Sequence, residues 1–258
     1  MRISRLSWAG IRIELSGARL LLDAFSDIAS VRSYLGKPRM PVVLAADHGS
    51  IDFALVTHLH PDHYDPTTLR QSLTPTGRVV CDRRVAGKIE KDGLPVMAVD
   101  LEQPIPLGPA RVVAVPAVDG FGYDQVSWVV EAEGKKIIHC GDTLWHGYWW
   151  QIRRQHGPFD VAFLPINGAV AQFAGMQASG IPACMTPREA AAAGALLGAR
   201  LLCPIHYGMF DSPPLYAEHP DAEQTFLKEV SGRGLRAHVV APSSSVPFQE
   251  IDAGGDAD

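Results

Sequence analysis

Three histidines and an aspartate crowd into six positions, His58, His60, Asp62 and His63, directly behind the apolar run Ile51 to Val56. A run that short, closed by a polar turn, reads as a buried strand. The strand holds its last backbone atoms rigid while the turn fans out side chains, so imidazoles and a carboxylate can converge on one point. Imidazole nitrogen and carboxylate oxygen are ligands that Zn²⁺, Fe²⁺ and Mn²⁺ take from proteins. The cluster therefore asks for a fold that gathers strand ends at one edge, and it points to metal binding.

Further carboxylates and histidines end other apolar runs. Ile137-Ile138-His139-Cys140-Gly141-Asp142 delivers Asp142, and Leu201-Leu202-Cys203-Pro204-Ile205-His206 delivers His206. Leu20-Leu21-Leu22-Asp23 places a carboxylate where it could orient a ligand histidine from behind.

Short β-type runs dominate the first half. Arg2 to Trp8, Ile11 to Leu15 and Arg19 to Leu22 form a meander, and later candidates include Val96 to Val99, Ala110 to Val115, Val126 to Glu131 and Ala237 to Ala241. Helical patterns interleave: Pro66 to Leu73, Arg83 to Lys91, Tyr148 to His156 and Asp221 to Val230. The sharpest is Thr186-Pro187-Arg188-Glu189, an N-cap, a first-turn proline and a capping-box partner, running to a stop at Gly198. Many strands with helices between them predict an α+β fold, sheets face to face with helices outside. Phe25 to Ser50 and Ile166 to Met185 are long and apolar for loops. The second is expected to fold over the cleft and shape specificity through Val170, Phe173, Met176 and Ile181.

No linker or repeat divides the 258 residues, so one domain over 1–251 is expected, with 252–258 as a disordered tail. The net charge of -5 disfavours a nucleic-acid surface. No apolar run reaches membrane-spanning length and Met1 to Leu6 lacks a signal-peptide core, so the cytoplasm and no membrane partner are expected. A homo-oligomer is left open. Cys81, Cys140, Cys184 and Cys203 form no C-x-x-C pair.

The order Asp23, His58-x-His60-x-Asp62-His63, Gly141-Asp142-Thr143 and Pro204-Ile205-His206-Tyr207-Gly208 resembles the metallo-β-lactamase superfamily, nearest the L-ascorbate-6-phosphate lactonase-like branch. The resemblance implies a four-layer αββα sandwich with one or two divalent ions (Zn, Mn or Fe) at one edge. It would put His58 and His60 on the first metal, Asp62, His63 and His206 on the second, and Asp142 between them. Asp62 and Asp142 become the expected catalytic carboxylates. A hydroxide held by the metals would cleave a small-molecule lactone, ester or phosphoester.

One position departs from that pattern. After Val115-Pro116-Ala117-Val118 the family offers a third histidine, and this chain has Asp119. Asp119 ligating in its place would make the site harder and more anionic and favour Mn²⁺ or Fe²⁺. Otherwise the first site is weak or empty, or a nearby histidine such as His146 substitutes, while His139, inside the preceding strand, reads as a satisfied core histidine. His146, Asn167 and Tyr207 are candidate substrate contacts, and Trp145, Tyr148, Trp149 and Trp150 read either as core or as a pocket wall. Two other classes compete with hydrolysis: an iron-bearing oxidoreductase of the same fold, and a degenerate metal-binding protein without catalysis.

Overall fold

The computed structural model describes residues 1–248, so the expected tail lies outside the described residues. Two six-stranded sheets form the centre. The first contains β1 (Arg2–Arg5), β2 (Ile11–Leu15), β3 (Ala18–Leu22), β4 (Ile51–Leu55), β5 (Leu73–Asp82) and β6 (Val96–Val99), side by side in chain order. The second is built from β7 (Ile105–Leu107), β8 (Ala110–Pro116), β9 (Val126–Ala132), β10 (Lys135–His139), β11 (Phe159–Pro165) and, after the short β12 (Val170–Ala171), β13 (Ala199–Ile205). Its order is β13-β11-β10-β9-β8-β7, and β12 pairs with β14 (Tyr216–Ala217).

Alternation along the strands explains the layers. On β8, Val112 and Ala114 enter the core between the sheets, while Val113 and Val115 face outward. On β11, Val161 and Phe163 point inward, and Ala162 and Leu164 outward. A strand buried on both faces must be covered on both. The outward face of the second sheet packs on α4 (Trp149–His156), α5 (Pro187–Leu197) and α6 (Ala222–Gly232). On the first sheet that cover comes from α2 (Pro66–Ser72) and α3 (Arg83–Lys91), and α1 (Ile28–Leu35) sends Val31 and Leu35 into the central core. The result is a four-layer αββα sandwich. No helix among the described residues is long and apolar enough to cross a membrane.

α5 forms as its sequence predicts: the Thr186 hydroxyl accepts from the Glu189 amide, the Glu189 carboxylate accepts from the Thr186 amide, and Gly198 ends the helix in the left-handed region. Three expectations need correction. β1 stops at Arg5, because Leu6 to Gly10 closes a tight turn in which Trp8 has φ 56°. Ala237 to Ala241 is no strand and makes a single bridge, Ala237 to Leu202. The stretch Phe25 to Ser50 contains α1, nucleated by Asp27, whose carboxylate accepts from the Ala29 and Ser30 amides.

β3 and β4 run parallel, as do β10, β11 and β13. Their C-terminal ends, with that of β8, carry Asp23, His58 to His63, Asp119, Asp142 and His206, the end of a strand where open α/β sheets keep their ligands.

Candidate metal centre

Each ligand candidate is fixed by the backbone that follows its strand. Asp23 (φ 44°) and His206 (φ 54°) take left-handed conformations that non-glycine residues rarely accept, and Gly141 (φ 61°) turns the chain before Asp142. Nothing larger fits at Gly141: a β-carbon would meet Gln125 Nε2 at 2.9 Å and Thr57 Oγ1 at 3.0 Å. The Thr143 hydroxyl accepts from the Val118 amide at 2.9 Å and ties the Asp142 turn to the one bearing Asp119.

Two groups of ligand atoms result: His58, His60, Asp119 and Asp142, and beside them Asp62, His63 and His206. Asp142 faces both. Its Oδ1 lies 3.6 Å from His58 Nε2, and its Oδ2 lies 3.8 Å from His63 Nε2 and 4.0 Å from His206 Nε2. Asp62 Oδ2 is 3.5 Å from His63 Nε2 and 3.4 Å from His206 Nε2. His60 Nδ1 stands 3.5 Å from Asp119 Oδ2.

These separations are too long for hydrogen bonds, yet they suit ligands of one ion. Atoms about 2.1 Å from a tetrahedral ion stand about 3.4 Å from one another. His63 Nε2, His206 Nε2 and Asp119 Oδ2 are buried without any hydrogen-bond partner, which is costly unless a cation takes them. One pair is tighter: His58 Nε2 and His60 Nδ1 are 2.8 Å apart, so they would spread by roughly half an ångström around an ion. The residues fit the metals that the sequence implies.

Hydrogen bonds behind the ligands aim them. Thr57 donates its hydroxyl proton to Asp23 Oδ2 at 2.6 Å, so the 3.0 Å contact between Thr57 Oγ1 and His58 Nδ1 requires His58 to donate there. The His58 Nε2 lone pair is thereby left for the cluster. His63 donates from Nδ1 to Asp23 Oδ2 at 2.9 Å, with its Nε2 facing the ligands. Trp8 donates from Nε1 to Asp62 Oδ2 at 2.9 Å, and Gln125 Nε2 donates to Asp142 Oδ1 at 2.9 Å. Asp119 Oδ1 accepts from the Phe121 and Tyr123 amides, leaving Oδ2 for the cluster.

The electrostatics also ask for positive charge. Burial opposes a charged His63, but Asp62 and Asp142, with the Asp23 hydrogen bond, outweigh it and raise its pKa to about 10. Burial drives His58 down to about 3, although Asp142 pulls the other way. Burial and then Asp142 raise Asp119. A bound cation would displace the His63 proton and favour the ionised form of Asp119, and the low value of His58 already leaves its imidazole neutral for the ion.

A cavity of about 280 Å³ opens onto His60, Asp62, Asp142 and His206. Its walls come from α1 (Tyr34, Leu35), the turn after Asp119 (Phe121, Tyr123), the 166–185 segment (Phe173, Met176, Cys184) and Tyr216. That segment brings Phe173 and Met176 to the cavity as expected, but Val170 pairs with Ala217 in β12 and Ile181 is exposed outside it. The Ala183 amide to Ala169 and the Met185 amide to Thr143 pin the segment.

Three candidate substrate contacts lie elsewhere. Tyr207 follows the left-handed His206 and so points away, donating to Glu223 at 2.7 Å in a separate polar cavity. His146 stacks on Trp149 at 3.9 Å, accepts from the Tyr148 amide and joins no ligand group; burial lowers it to about 4. Asn167 is fully buried and donates to the Tyr216 hydroxyl. His139 is a core residue bound to the Ala9 carbonyl, and Trp149 is core, while Trp145, Tyr148 and Trp150 are exposed away from the cavity. Sequence reasoning missed Trp8, Thr57, Gln125, Tyr34 and Tyr216.

Residues 18–207 match a family model described as a beta-lactamase superfamily domain. A UPF0173 metal-dependent hydrolase of Rubrobacter xylanophilus is 30% identical over 95% of this chain and 96% of its own length. Among solved structures, a metallo hydrolase from the hyperthermophilic archaeon Ignicoccus hospitalis is 19% identical with TM-score 0.71, covering 95% of this chain and 97% of its own. CmlA, a diiron beta-hydroxylase from Streptomyces venezuelae, is 16% identical with TM-score 0.72, covering 95% of this chain and 53% of its own.

Proposed function

This chain belongs to the metallo-β-lactamase superfamily as a metal-dependent hydrolase, and from that premise we propose that it holds two divalent ions and opens a neutral, largely apolar lactone or ester. The observation that carries the reading is the contrast inside one cavity. The candidate ligands His60, Asp62, Asp142 and His206 lie at its floor, its walls are mostly aromatic and aliphatic, and no described lysine or arginine lines it. A substrate carrying a phosphate away from its scissile bond, beyond reach of the ions, would find no described lysine or arginine on these walls to receive it. The likeness to the ascorbate-6-phosphate lactonase branch is therefore read as a likeness of reaction class, with a different substrate.

His58, His60, Asp119 and Asp142 would hold one ion, and Asp62, His63, His206 and Asp142 the other. Bound there, the ions supply a water acidified to roughly pKa 7 and a Lewis acid for the scissile carbonyl. The chain's own part is positional. Trp8, Asp23, Thr57 and Gln125 fix the ligands, and the walls exclude bulk water from the reacting carbonyl.

Elemental analysis of dialysed protein, with turnover of lactones, aryl esters and phosphomonoesters, tests this. Zinc or manganese with lactone or ester hydrolysis is expected, phosphomonoesters being poor substrates. A second reading, an iron-bearing oxidoreductase, draws support from the carboxylate Asp119 in the first group and from the fold shared with the diiron hydroxylase. Redox-active iron without hydrolysis would favour it.

A further inference from the structure

Three phenols line the cavity, Tyr34, Tyr123 and Tyr216, and among the described residues Tyr34 and Tyr216 have no acceptor for their protons. Tyr34, from α1, stands edge-on to Phe173 at 5.7 Å, and its hydroxyl is buried with no hydrogen-bond partner. Tyr216, from β14, is 5% exposed; its oxygen accepts from Asn167 Nδ2 and it donates to no described residue. Asn167 is held in turn by the Ala169 amide on its Oδ1 and by the His219 amide on its carbonyl. With the acceptor side of Tyr216 occupied, the hydroxyl hydrogen is the group it has left to offer, and a hydroxyl that already accepts is a stronger donor.

An unpaired buried hydroxyl costs stability, and native proteins seldom keep one without a use. Phenylalanine would fill the Tyr34 position without that cost. The neighbouring walls, Leu35, Phe121, Phe173 and Met176, offer no other donor, and Tyr123 is exposed. Burial raises both phenols above their ordinary pKa, so they carry their protons at neutral pH. Both share the cavity with Asp62, Asp142 and His206.

We propose that Tyr34 and Tyr216 are the donors that receive the carbonyl oxygen of the substrate and stabilise the charge it gains during hydrolysis. The proposal rests on the lactone or ester reading above. In that reaction water adds to the carbonyl carbon, the bond from that carbon to the ester oxygen breaks, and the departing alkoxide takes a water proton. Both phenols end the cycle with their own protons. Donors aimed at an oxygen that becomes negative act more strongly on the transition state than on the ground state.

The test compares metal-loaded wild type with Tyr34→Phe, using δ-nonalactone as substrate and 3-butylcyclohexanone as a carbonyl ligand that cannot be hydrolysed. Tyr34→Phe should lower kcat/KM by about 10²-fold and weaken ketone binding roughly fivefold. Its metal content should be unchanged, and the metal-free protein should melt no lower than wild type. Tyr216→Phe should lose activity too, but it leaves Asn167 Nδ2 unpaired and should melt lower, so Tyr34→Phe is the cleaner variant. Failure of the wild type to bind the ketone, or an unchanged ketone Kd in Tyr34→Phe, overturns the proposal. Weakened ketone binding without any lactone turnover in wild type would keep the donors and overturn the lactonase reading.

Discussion

The two halves of the ligand constellation are built to different standards. In the second group every ligand has a partner behind it: Trp8 on Asp62, Asp23 on His63, and the Cys184 thiol 4.0 Å from His206 Nδ1. All three ligands are buried, and their supports come from the sandwich core or its edge. The first group is looser. His58 is buried and braced by Thr57, but the His60 side chain is 19% exposed and neighbours the rings of Phe121 and Tyr123. Among the described residues, the Asp119 carboxylate accepts only from amides of its own turn. Groups behind a ligand set its orientation and basicity, so the second site should bind its ion more tightly than the first.

The largest effect should come from breaking the stronger half. His206→Ala removes a ligand that no neighbour replaces, and it should abolish hydrolysis and lower bound metal, read by elemental analysis. Full occupancy with an unchanged rate would show that His206 is not a ligand. Asp23→Asn should be milder, weakening the second site by about 10–100-fold and the first, which Asp23 reaches only through Thr57 and His58, by less. A metal-chelator competition titration measures this, and equal loss from both sites would erase the asymmetry.

Asp119→His should leave affinity comparable but shift the first site toward zinc over manganese, because imidazole is softer than carboxylate. Metal competition assays report that preference.

The smallest effect lies outside both groups. Asp65 Oδ1 caps α2 through the Thr67 and Thr68 amides, and Oδ2 accepts from the Ser26 and Asp27 amides and the Thr68 hydroxyl. Burial alone would raise this carboxyl, but those donors hold it below its usual range. Its stabilisation is therefore complete above the unfolded pKa near 4 and is lost as pH falls through the lower folded value. Asp65→Ala should cost about 1 kcal/mol at neutral pH and progressively less in acid, by thermal melts. A cost independent of pH would point to packing instead.

The contrast between the halves also marks where the sequence was legible. The convergence of His58 to His63, Asp142 and His206 could be read because their residue types and their places at strand ends are chemically restrictive. Asp119 stood out as a carboxylate where a histidine was expected. Strands such as β2 and β6 and helices α3 and α5 carried their own alternation, caps and stops. The supports were not legible, because their partners are distant along the chain: Trp8 meets Asp62 54 residues later, and Gln125 meets Asp142 17 residues later. Tyr34 was hidden in α1, a short helix inside an apparent loop whose buried residues are Val31 and Leu35. Tyr207 misled for the opposite reason. It adjoins His206 in sequence, but the left-handed turn at His206 sends the two side chains to different cavities.

Metal stoichiometry in wild type and Asp119→Ala, measured on protein dialysed against metal-free buffer, is the most direct measurement of all. Two ions held unequally predict about two equivalents in wild type and about one in Asp119→Ala, the survivor being the ion of Asp62, His63 and His206. The same stoichiometry in both proteins would contradict a ligand role for Asp119, and a single equivalent in each would leave a mononuclear centre in place of the pair.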